Sequence, residues 1–333
     1  MFPQIFILSV FVSFVFFQSN FQGIDRKKGF LMIIKCKKCN HESIIFQKYS
    51  GMHLCKKHFV EDVERKIKLT IRKEYSIRKN DIIAVALSGG KDSSVALYVI
   101  HKILGGRLDI QIVAISVDEG IYGYRHNSLE VAKNLTERLE IRHIIRSFKE
   151  IHGITMDELA STDRAKGTCS YCGVLRKNIL NRIALEIGAT KLVTGHNLDD
   201  EAQTILLNHL RGDITRMIRL APPAAIEGLV LRAKPLRNIP EKEVALYALV
   251  NSLPVDLSEC KYAGEALREE VREMLNNFET RHPGTKYSLL RGFDKLVGSL
   301  AKEFPPAIIE KCRICGETCT KDVCQACKLL GRA

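Results

Sequence analysis

The chain has 333 residues, 46% of them hydrophobic, and carries a formal net charge of +13 from 51 Lys and Arg against 38 Asp and Glu. This length can bury a full α/β core and still carry small modules. Most of the eleven cysteines stand in Cys-x-x-Cys pairs, which indicates metal ligation in a reducing cytosol and argues against a disulfide-stapled fold. The basic excess predicts a polyanionic partner, with a generally basic protein as the alternative.

The first 20 residues are apolar but match no targeting signal. They lack the basic n-region and the small-residue cleavage site of a signal peptide, and the apolar run ending at Phe17 is at the short limit for a membrane span. The recognisable motifs begin just after Met32. We therefore expect residues 1–31 to be a non-native or disordered extension from a misassigned start codon, with no stable membrane association. A short membrane anchor is the alternative.

The first metal motif pairs a Cys-x-x-Cys with a Cys-x-x-His fifteen residues later. Its ligands are Cys36, Cys39, Cys55 and His58. Four soft and borderline ligands at this separation suit a closed, structural zinc site. A charged helix is predicted to follow over about 60–75, serving either as a solvated face or as a contact to a phosphate backbone.

The segment 82–94 predicts a phosphate-binding loop. Six apolar residues, Ile82 to Leu87, indicate a strand buried on both faces, and they run into Ser-Gly-Gly-Lys-Asp-Ser-Ser at 88–94 and then into an apolar helix. A strand, a glycine turn and a helix N-terminus offer backbone N–H groups to an anion, and Gly89 and Gly90 allow its close approach. The spacing differs from that of the Walker motif.

Strands and helices alternate from Asp81 to about Ala248, which predicts an α/β fold with a doubly wound parallel sheet. After the loop we expect further strands over 110–117, 142–145 and 191–194. Ligands of such sheets bind beyond the carboxyl ends of the strands. The segments that follow residues 87, 117 and 194 should therefore converge.

An acidic segment, Gly-His-Asn-Leu-Asp-Asp-Glu at 195–201, follows the last of these strands. Asn197, Asp199 and Asp200 could cap the helix expected over 202–210. Beside a triphosphate, the two aspartates are also candidates for binding Mg²⁺ or for acting as a general base. Asp92, inside the loop, is a second Mg²⁺ candidate.

Three cysteines remain outside complete zinc motifs: Cys169 and Cys172 in Cys-Ser-Tyr-Cys-Gly, and the distant Cys260. Three thiolates can hold an iron–sulfur cluster with one iron open. A redox-active disulfide between the first two, or a persulfide carrier, are the alternatives. A compact ribbon near the C-terminus predicts a second zinc site with the ligands Cys312, Cys315, Cys324 and Cys327. Cys319, within its loop, is expected to be a spare structural thiol.

In this order, the zinc motif, SGGKDSS, CSYCG, TGHNLDDE, the distal cysteine and the ribbon resemble the tRNA uridine 2-thiolation proteins of the TtcA/TtuA group, a family of N-type ATP pyrophosphatases. Segments starting at Val117, Thr155 and Leu210 are most similar to the archaeal and eukaryotic cytosolic wobble-uridine thiolases. The T-loop thiolases of thermophiles are the second choice. The resemblance implies an adenine nucleotide alpha-hydrolase-like, PP-loop domain flanked by zinc modules.

The resemblance also implies roles for individual residues. It implies a [4Fe-4S] cluster on Cys169, Cys172 and Cys260, and it implies ATP contacts from Ala86, Ser88, Gly89, Gly90, Lys91, Asp92, Ser93, Ser116 and Gly195. Asp200 matches the family's catalytic aspartate, and Asp92 is the second catalytic candidate. The family's catalytic lysine position holds Arg176, with Lys177 beside it, and an arginine suits a fixed phosphate clamp better than a proton carrier.

The implied reaction is ATP-dependent tRNA 2-thiolation in the cytoplasm. The uracil C2 oxygen is adenylated, releasing pyrophosphate, and is then replaced by sulfur delivered through the cluster, at the anticodon wobble uridine. The implied cofactors are ATP, Mg²⁺, two Zn²⁺ ions and the [4Fe-4S] cluster. The implied partners are tRNA, a sulfur donor (a ubiquitin-like thiocarboxylate protein or sulfide), and a second copy or a paralogue. The same reaction at the T-loop uridine, a cluster-free ligase or amidotransferase, and a non-catalytic RNA-binding protein are the alternatives.

The motifs divide the chain into five expected parts. These are the leader 1–31, a zinc finger with a basic helix 32–75, the PP-loop domain 76–250, a helical extension 251–305 carrying Cys260, and a zinc ribbon 306–333.

Overall fold

The structure is a computed structural model that describes residues 34–162, 167–218, 220, 228–263, 266–304 and 309–332. The expected leader 1–31 lies outside these ranges. The chain divides into two compact units between Asp62 and Val63. Among the described residues, every helix is too short or too polar to cross a bilayer.

The first unit is a small zinc-finger-like module. A two-stranded antiparallel sheet, β1 (Ile45–Gln47) and β2 (Met52–Leu54), leads into helix α1 (Lys56–Glu74). The Gln47 amide donates a buried hydrogen bond of 3.1 Å to the Asp62 carboxylate, which fixes the hairpin to the first turns of the helix. The helix agrees with the basic helix that the sequence predicts.

The second unit is built on a five-stranded, all-parallel sheet. Its strands are β3 (Ile82–Ala86), β4 (Gln111–Asp118), β5 (Arg142–Ser147), β6 (Lys191–Val193) and β7 (Leu231–Ala233). They lie in the order β5-β4-β3-β6-β7. The order reverses between β3 and β6, so the crevice beyond their carboxyl ends is the expected ligand site. The predicted doubly wound parallel sheet is confirmed.

Helices pack around this sheet. In chain order they are α2 (Lys91–Leu104), α3 (Arg125–Arg138), α4 (Phe148–His152), α5 (Met156–Ala160), α6 (Thr168–Glu186), α7 (Leu198–Leu210), α8 (Ile214–Ile218), α9 (Glu241–Val250), α10 (Ala266–Arg281) and α11 (Thr285–Glu303). Helix α7 begins one turn earlier than expected. The reason is local, because the Asn197 side chain accepts hydrogen bonds from the backbone N–H groups of Asp199 and Asp200.

The C-terminal ribbon consists of β8 (Glu310–Lys311), β9 (Thr318–Cys319) and α12 (Gln325–Leu329). It shares an apolar cluster with the sheet and with α6, in which Cys324 and Cys327 are buried together with Leu175 and Ile179. The ribbon therefore contributes directly to the core of the second unit.

Candidate active site and metal centres

The glycine loop between β3 and α2 has the geometry that anion binding requires. Gly89 adopts φ +88°, and a Cβ there would lie 1.9 Å from the carbonyl oxygen of Ser128, so only glycine fits this close approach. Gly90 precedes α2 without any side chain capping the helix. The first N–H groups of α2 are therefore oriented toward the loop, where a phosphate would satisfy them.

Two serines hold the loop in shape. The hydroxyls of Ser88 and Ser93 lie 3.0 Å apart, and Ser93 also accepts from the Ser88 N–H at 3.1 Å. On the other side, the Asp256 N–H donates to the Gly89 carbonyl at 2.9 Å. The loop is thus preorganised by contacts from a segment far away in sequence.

The loop and the acidic segment after β6 come together as expected. A Cβ on Gly195 would lie 2.7 Å from the backbone carbon of Asp92, and the Asn197 amide donates to the Asp92 carboxylate at 3.0 Å. Burial raises the pKa of Asp92 and the negative charge of Asp200 adds to the rise, while Lys91 and Asn197 act in the opposite direction. Additional positive charge, such as Mg²⁺, would favour the ionised carboxylate here.

The two neighbouring aspartates have different environments. Asp199 forms a buried ion pair with Lys286, and each of the two side chains is 8% exposed. The Asp199 carboxylate also accepts a hydrogen bond of 2.8 Å from the Glu241 N–H. Asp200 keeps 33% of its side chain exposed, and Arg268 is its ion-pair partner at 3.7 Å. Of the two, Asp200 is the carboxylate that remains available to a ligand.

Lys91 is held at the edge of the same site. Its ammonium group lies 2.9 Å from Asp92 and 2.8 Å from Glu241, and Arg272 approaches Glu241 at 3.6 Å. The acidic and basic groups balance each other without a nucleotide, and an incoming polyphosphate would compete for the cations.

Ser116 and Ala86 stand at the ends of adjacent strands. The Ser116 hydroxyl is buried, donates to the Leu87 carbonyl at 2.5 Å and shares a hydrogen bond of 2.7 Å with His143. It therefore has little capacity left for a ligand, and a contact from Ser116 to ATP would involve the backbone. Ala86, the last residue of β3, likewise offers only backbone.

The half-buried His143 predicts that the protein loses stability in acid. Burial, followed by nearby positive charges, lowers its pKa from 6.5 to about 4. An unfolded chain binds this proton below about pH 6.5. The contribution of His143 to the free energy of unfolding should therefore fall as the pH falls from 6.5 to 4. Urea unfolding at pH 7 and pH 5 should show a smaller difference for His143→Gln than for the wild type.

The exposed His126 provides the matched control for this prediction. The variant His126→Gln should keep the wild-type difference between the two pH values. Equal pH dependence in the wild type and in His143→Gln would refute the assignment.

The segments that carry the three leftover thiols contact one another. Cys169 and Cys172 occupy the first turns of α6, and the Cys169 sulfur donates at 2.5 Å to the carbonyl of Tyr262, two residues after Cys260. Cys172 and Cys260 pack in the same apolar cluster. Each cysteine of an iron–sulfur cluster binds a different iron, which holds the sulfurs farther apart than a single ion does. The arrangement fits such a cluster.

Arg176 and Lys177 point to different parts of the site. The Arg176 guanidinium donates to the Cys172 sulfur at 3.1 Å and pairs with Glu119 at 2.6 Å. Lys177 lies instead among cations near the segment after β6, and desolvation followed by the positive charges of Arg232 and Lys234 lowers its pKa. Arg176 thus has a fixed structural engagement, whereas Lys177 is the better proton carrier.

Asp157 clamps the segment that carries Cys260. One carboxylate oxygen accepts from the Tyr262 hydroxyl at 2.8 Å and lies 3.0 Å from the Lys261 ammonium. The other accepts from the Tyr122 N–H at 2.9 Å. These contacts hold Cys260 next to the start of α6.

We expect Asp157→Ala to weaken the hold on a bound cluster, because the Cys260 segment would lose its anchor. Outer partners of metal ligands typically contribute about 10- to 100-fold in metal affinity. The measurement is the rate of iron loss to a chelator after anaerobic reconstitution. Asp109→Ala, which removes an exposed ion pair with Arg107, is the control, and equal rates in both variants would contradict the clamp.

The structure also assembles both predicted zinc sets. In each set the four ligand atoms all lie within 4.8 Å of one another: Cys36, Cys39, Cys55 and His58, and Cys312, Cys315, Cys324 and Cys327. Four cysteine and histidine ligands at this spacing fit one tetrahedral Zn²⁺ each. Cys319 belongs to neither set, and its sulfur donates to the Lys321 carbonyl at 2.8 Å.

The chain is similar to known proteins along most of its length. The protein-family model of the PP-loop domain matches residues 59–277. The family model of the N-terminal LIM domain of the 2-thiouridine synthetase TtuA matches residues 35–60. The tRNA 2-thiolation protein NcsA of Haloferax volcanii is 36% identical, with 89% of this chain and 98% of that protein covered. The chain belongs to the PP-loop tRNA 2-thiolation family.

Two further proteins similar to this chain have names that specify different uridines of tRNA. The tRNA-5-methyluridine(54) 2-sulfurtransferase of Pyrococcus horikoshii is 36% identical, with 90% of this chain and 94% of that protein covered. The solved U34-tRNA thiolase NcsA from Methanococcus maripaludis, with its [4Fe-4S] cluster, is also 36% identical. It has a TM-score of 0.80 and covers 90% of this chain and 97% of its own.

Several residues of this family member's site have no signal of their own in the sequence. Glu119, Arg125 and Asp157 each have a partner far along the chain, which is Arg176, Ser88 and Tyr262, respectively. Lys286, the partner of Asp199, lies in a helix with no motif at all. Only the folded chain reveals these pairs.

Proposed function

We propose that this protein is an ATP-dependent tRNA 2-thiolation enzyme of the cytoplasm, acting at the anticodon wobble uridine. The observation that carries the proposal is the placement of the three thiols of Cys169, Cys172 and Cys260. Cys172 lies near the carboxyl edge of the sheet that also carries the glycine loop, since Arg176 joins it to Glu119 directly after β4, and Cys169 contacts the segment that carries Cys260. One site then activates an oxygen and the other supplies its replacement.

The loop binds ATP. The N–H groups of Gly89 and Gly90 and the first turn of α2 hold the phosphates, with the hydroxyls of Ser88 and Ser93 beside them. Lys91 exchanges its carboxylate partners for phosphate oxygens. Backbone contacts from Ala86, Ser116 and Gly195 hold the nucleoside.

Asp92 and Asp200 organise the first chemical step. The uracil C2 oxygen attacks the α-phosphorus of ATP, the bond to the β-phosphate oxygen breaks, and pyrophosphate leaves. Asp92 would hold Mg²⁺ against the leaving pyrophosphate, and Asp200 accepts the uracil N3 proton. Lys177 stabilises the developing negative charge.

In the second step, sulfide attacks C2 and the C2–oxygen bond to AMP breaks. Cys169, Cys172 and Cys260 would hold a [4Fe-4S] cluster, and that group would supply sulfur at the oxidation level of sulfide. Arg176 stays protonated and fixes Cys172, and the clamp by Asp157 fixes Cys260. A water-exposed loop base reaches such a pocket more easily than a stacked stem base.

The remaining parts of the chain bind the substrate. We assign tRNA contacts to the zinc finger and basic helix at 32–75 and to the ribbon at 306–333, around the catalytic domain at 76–250 and the helical extension at 251–305. Phosphate contacts of this kind make binding steeply salt-dependent. The sulfur donor is a thiocarboxylate protein or sulfide, and a homodimer or a pair with a paralogue is the expected assembly.

The test is anaerobic reconstitution with iron and sulfide, followed by incubation with ATP, a sulfur donor and unmodified tRNA. We expect 2-thiouridine at position 34 by mass spectrometry of mapped fragments, together with AMP and pyrophosphate. If thiouridine formed only in the T-loop, the substrate would be the T-loop uridine and not the wobble uridine. AMP release without thiouridine, in a protein that binds no iron, would favour a cluster-free ligase.

A further inference from the structure

A buried carboxylate joins the two halves of the site. Glu119 has a side chain that is only 4% exposed, and it lies between two guanidinium groups. Its Oε2 lies 2.8 Å from Nε of Arg125, and its Oε1 lies 2.6 Å from Nε of Arg176. The chemistry of the proposed reaction uses neither Glu119 nor Arg125.

Each arginine has a second partner that belongs to the proposed chemistry. Arg125 donates from Nη1 to the carbonyl of Ser88, the first residue of the glycine loop, at 2.8 Å. Arg176 donates from Nη2 to the Cys172 sulfur at 3.1 Å. An unbroken chain of contacts therefore runs from the phosphate loop through Arg125, Glu119 and Arg176 to a thiol.

We propose that Glu119 is a positioning residue that holds Arg125 against the phosphate loop and Arg176 against the sulfur of Cys172. The inference rests on the proposed function, in which Cys172 holds the cluster. A guanidinium has several N–H donors in a rigid plane, so anchoring one side on Glu119 fixes the direction of the other. Arg125 also donates to the Val117 carbonyl at 2.8 Å and to the Ser128 hydroxyl at 3.0 Å, so removing the anchor should disturb the orientation of Arg176 more than that of Arg125.

The contact from Arg176 to Cys172 should affect the reduction potential of a bound cluster. Hydrogen bonds to the cysteine sulfurs help set the reduction potential of an iron–sulfur cluster. A positively charged donor stabilises the more negative, reduced state. Arg176 should therefore raise the potential of the bound cluster, whereas Arg125 should act on the nucleotide through the shape of the loop.

The test compares three variants by two measurements, neither of which is turnover. One is the midpoint potential of the reconstituted cluster, and the other is the dissociation constant for ATP in the cluster-free protein. Arg176→Met should lower the potential by about 59 mV, a tenfold change for a one-electron couple, and leave ATP binding unchanged. Arg125→Met should weaken ATP binding about tenfold and leave the potential unchanged. Glu119→Gln should change both, with the larger effect on the potential, because Arg125 keeps its contacts to Val117 and Ser128.

Two further variants separate positioning from general support. Arg182→Met removes an exposed ion pair with Glu186 from the same helix as Arg176, and both readouts should stay at their wild-type values. Arg176→Lys keeps a charge but cannot reach both partners with one planar group, and it should restore only part of the potential. Because Arg176 is 45% exposed, its variants remain informative if a change at a buried position prevents folding.

The outcomes separate a failure of the proposed function from a failure of the positioning role. A wild-type protein that assembles no cluster overturns the proposed function. If the cluster forms and Arg176→Met keeps the wild-type potential, the positioning role is wrong. A Glu119→Gln protein with lower thermal stability but unchanged potential and unchanged ATP affinity would likewise reduce Glu119 to a structural ion pair.

Discussion

A Cys172→Ala protein is expected to bind ATP as the wild type does and to lose thiolation. Cys172 lies on α6, and its sulfur accepts from Arg176 rather than from a group of the glycine loop, so nucleotide contacts should survive the substitution. The proposed cluster loses one of its three ligands, and we expect iron per chain to fall sharply and thiouridine formation to drop by about a thousandfold or more. The measurements are iron content, ATP affinity and thiouridine by mass spectrometry.

Cys319→Ala is the matched control for this prediction. Cys319 lies outside both zinc sets, and its sulfur donates only to the Lys321 carbonyl among the hydrogen bonds of the described residues. This variant should keep its iron and its activity. Full thiolation by Cys172→Ala would remove the cluster from the mechanism.

The adjacent pair Asp199 and Asp200 should respond oppositely to the same substitution. In Asp200→Asn the amide oxygen still accepts the capping hydrogen bond of α7, so the fold should persist while release of AMP and pyrophosphate falls by about 10²- to 10⁴-fold. In Asp199→Asn, Lys286 stays buried without its counter-charge. That change should lower the free energy of unfolding by about 3–5 kcal/mol.

The two readouts are pyrophosphate release stimulated by tRNA and urea unfolding, and each variant serves as the other's control. Lys286→Met combined with Asp199→Asn should recover part of the lost stability, because it removes the unpaired cation. An Asp199→Asn protein of normal stability and no activity would show that Asp199, not Asp200, is the functional carboxylate.

Much of the fold was predictable because its signals are local. The run from Ile82 to Leu87 is apolar on both faces, as a central parallel strand requires, and it forms β3. The fifth strand, β7, was not predicted. It has three residues, Leu231 to Ala233, and its place in the sheet depends on backbone pairing with β6 rather than on a pattern of its own.

The parts of the site that consist of metal ligands at a fixed spacing could be predicted from the sequence. The metal sets follow from Cys-x-x-Cys motifs, and the structure brings each set of four together. The sequence could not separate Asp199 from Asp200, since they are neighbours with the same side chain. The difference arises from Lys286, 87 residues further along the chain, which reaches only one of them. The link from Glu119 to Arg176 is long-range in the same way.

The C-terminal ribbon is more than an appended module. Its cysteines Cys324 and Cys327 share a core with Leu175 of α6, the helix that also carries Cys172. Zinc bound at the ribbon would stabilise the packing of that helix. The stability of the helix would therefore rise with the concentration of free zinc. Loss of that zinc would be expected to destabilise the first turns of α6, where Cys169 and Cys172 lie.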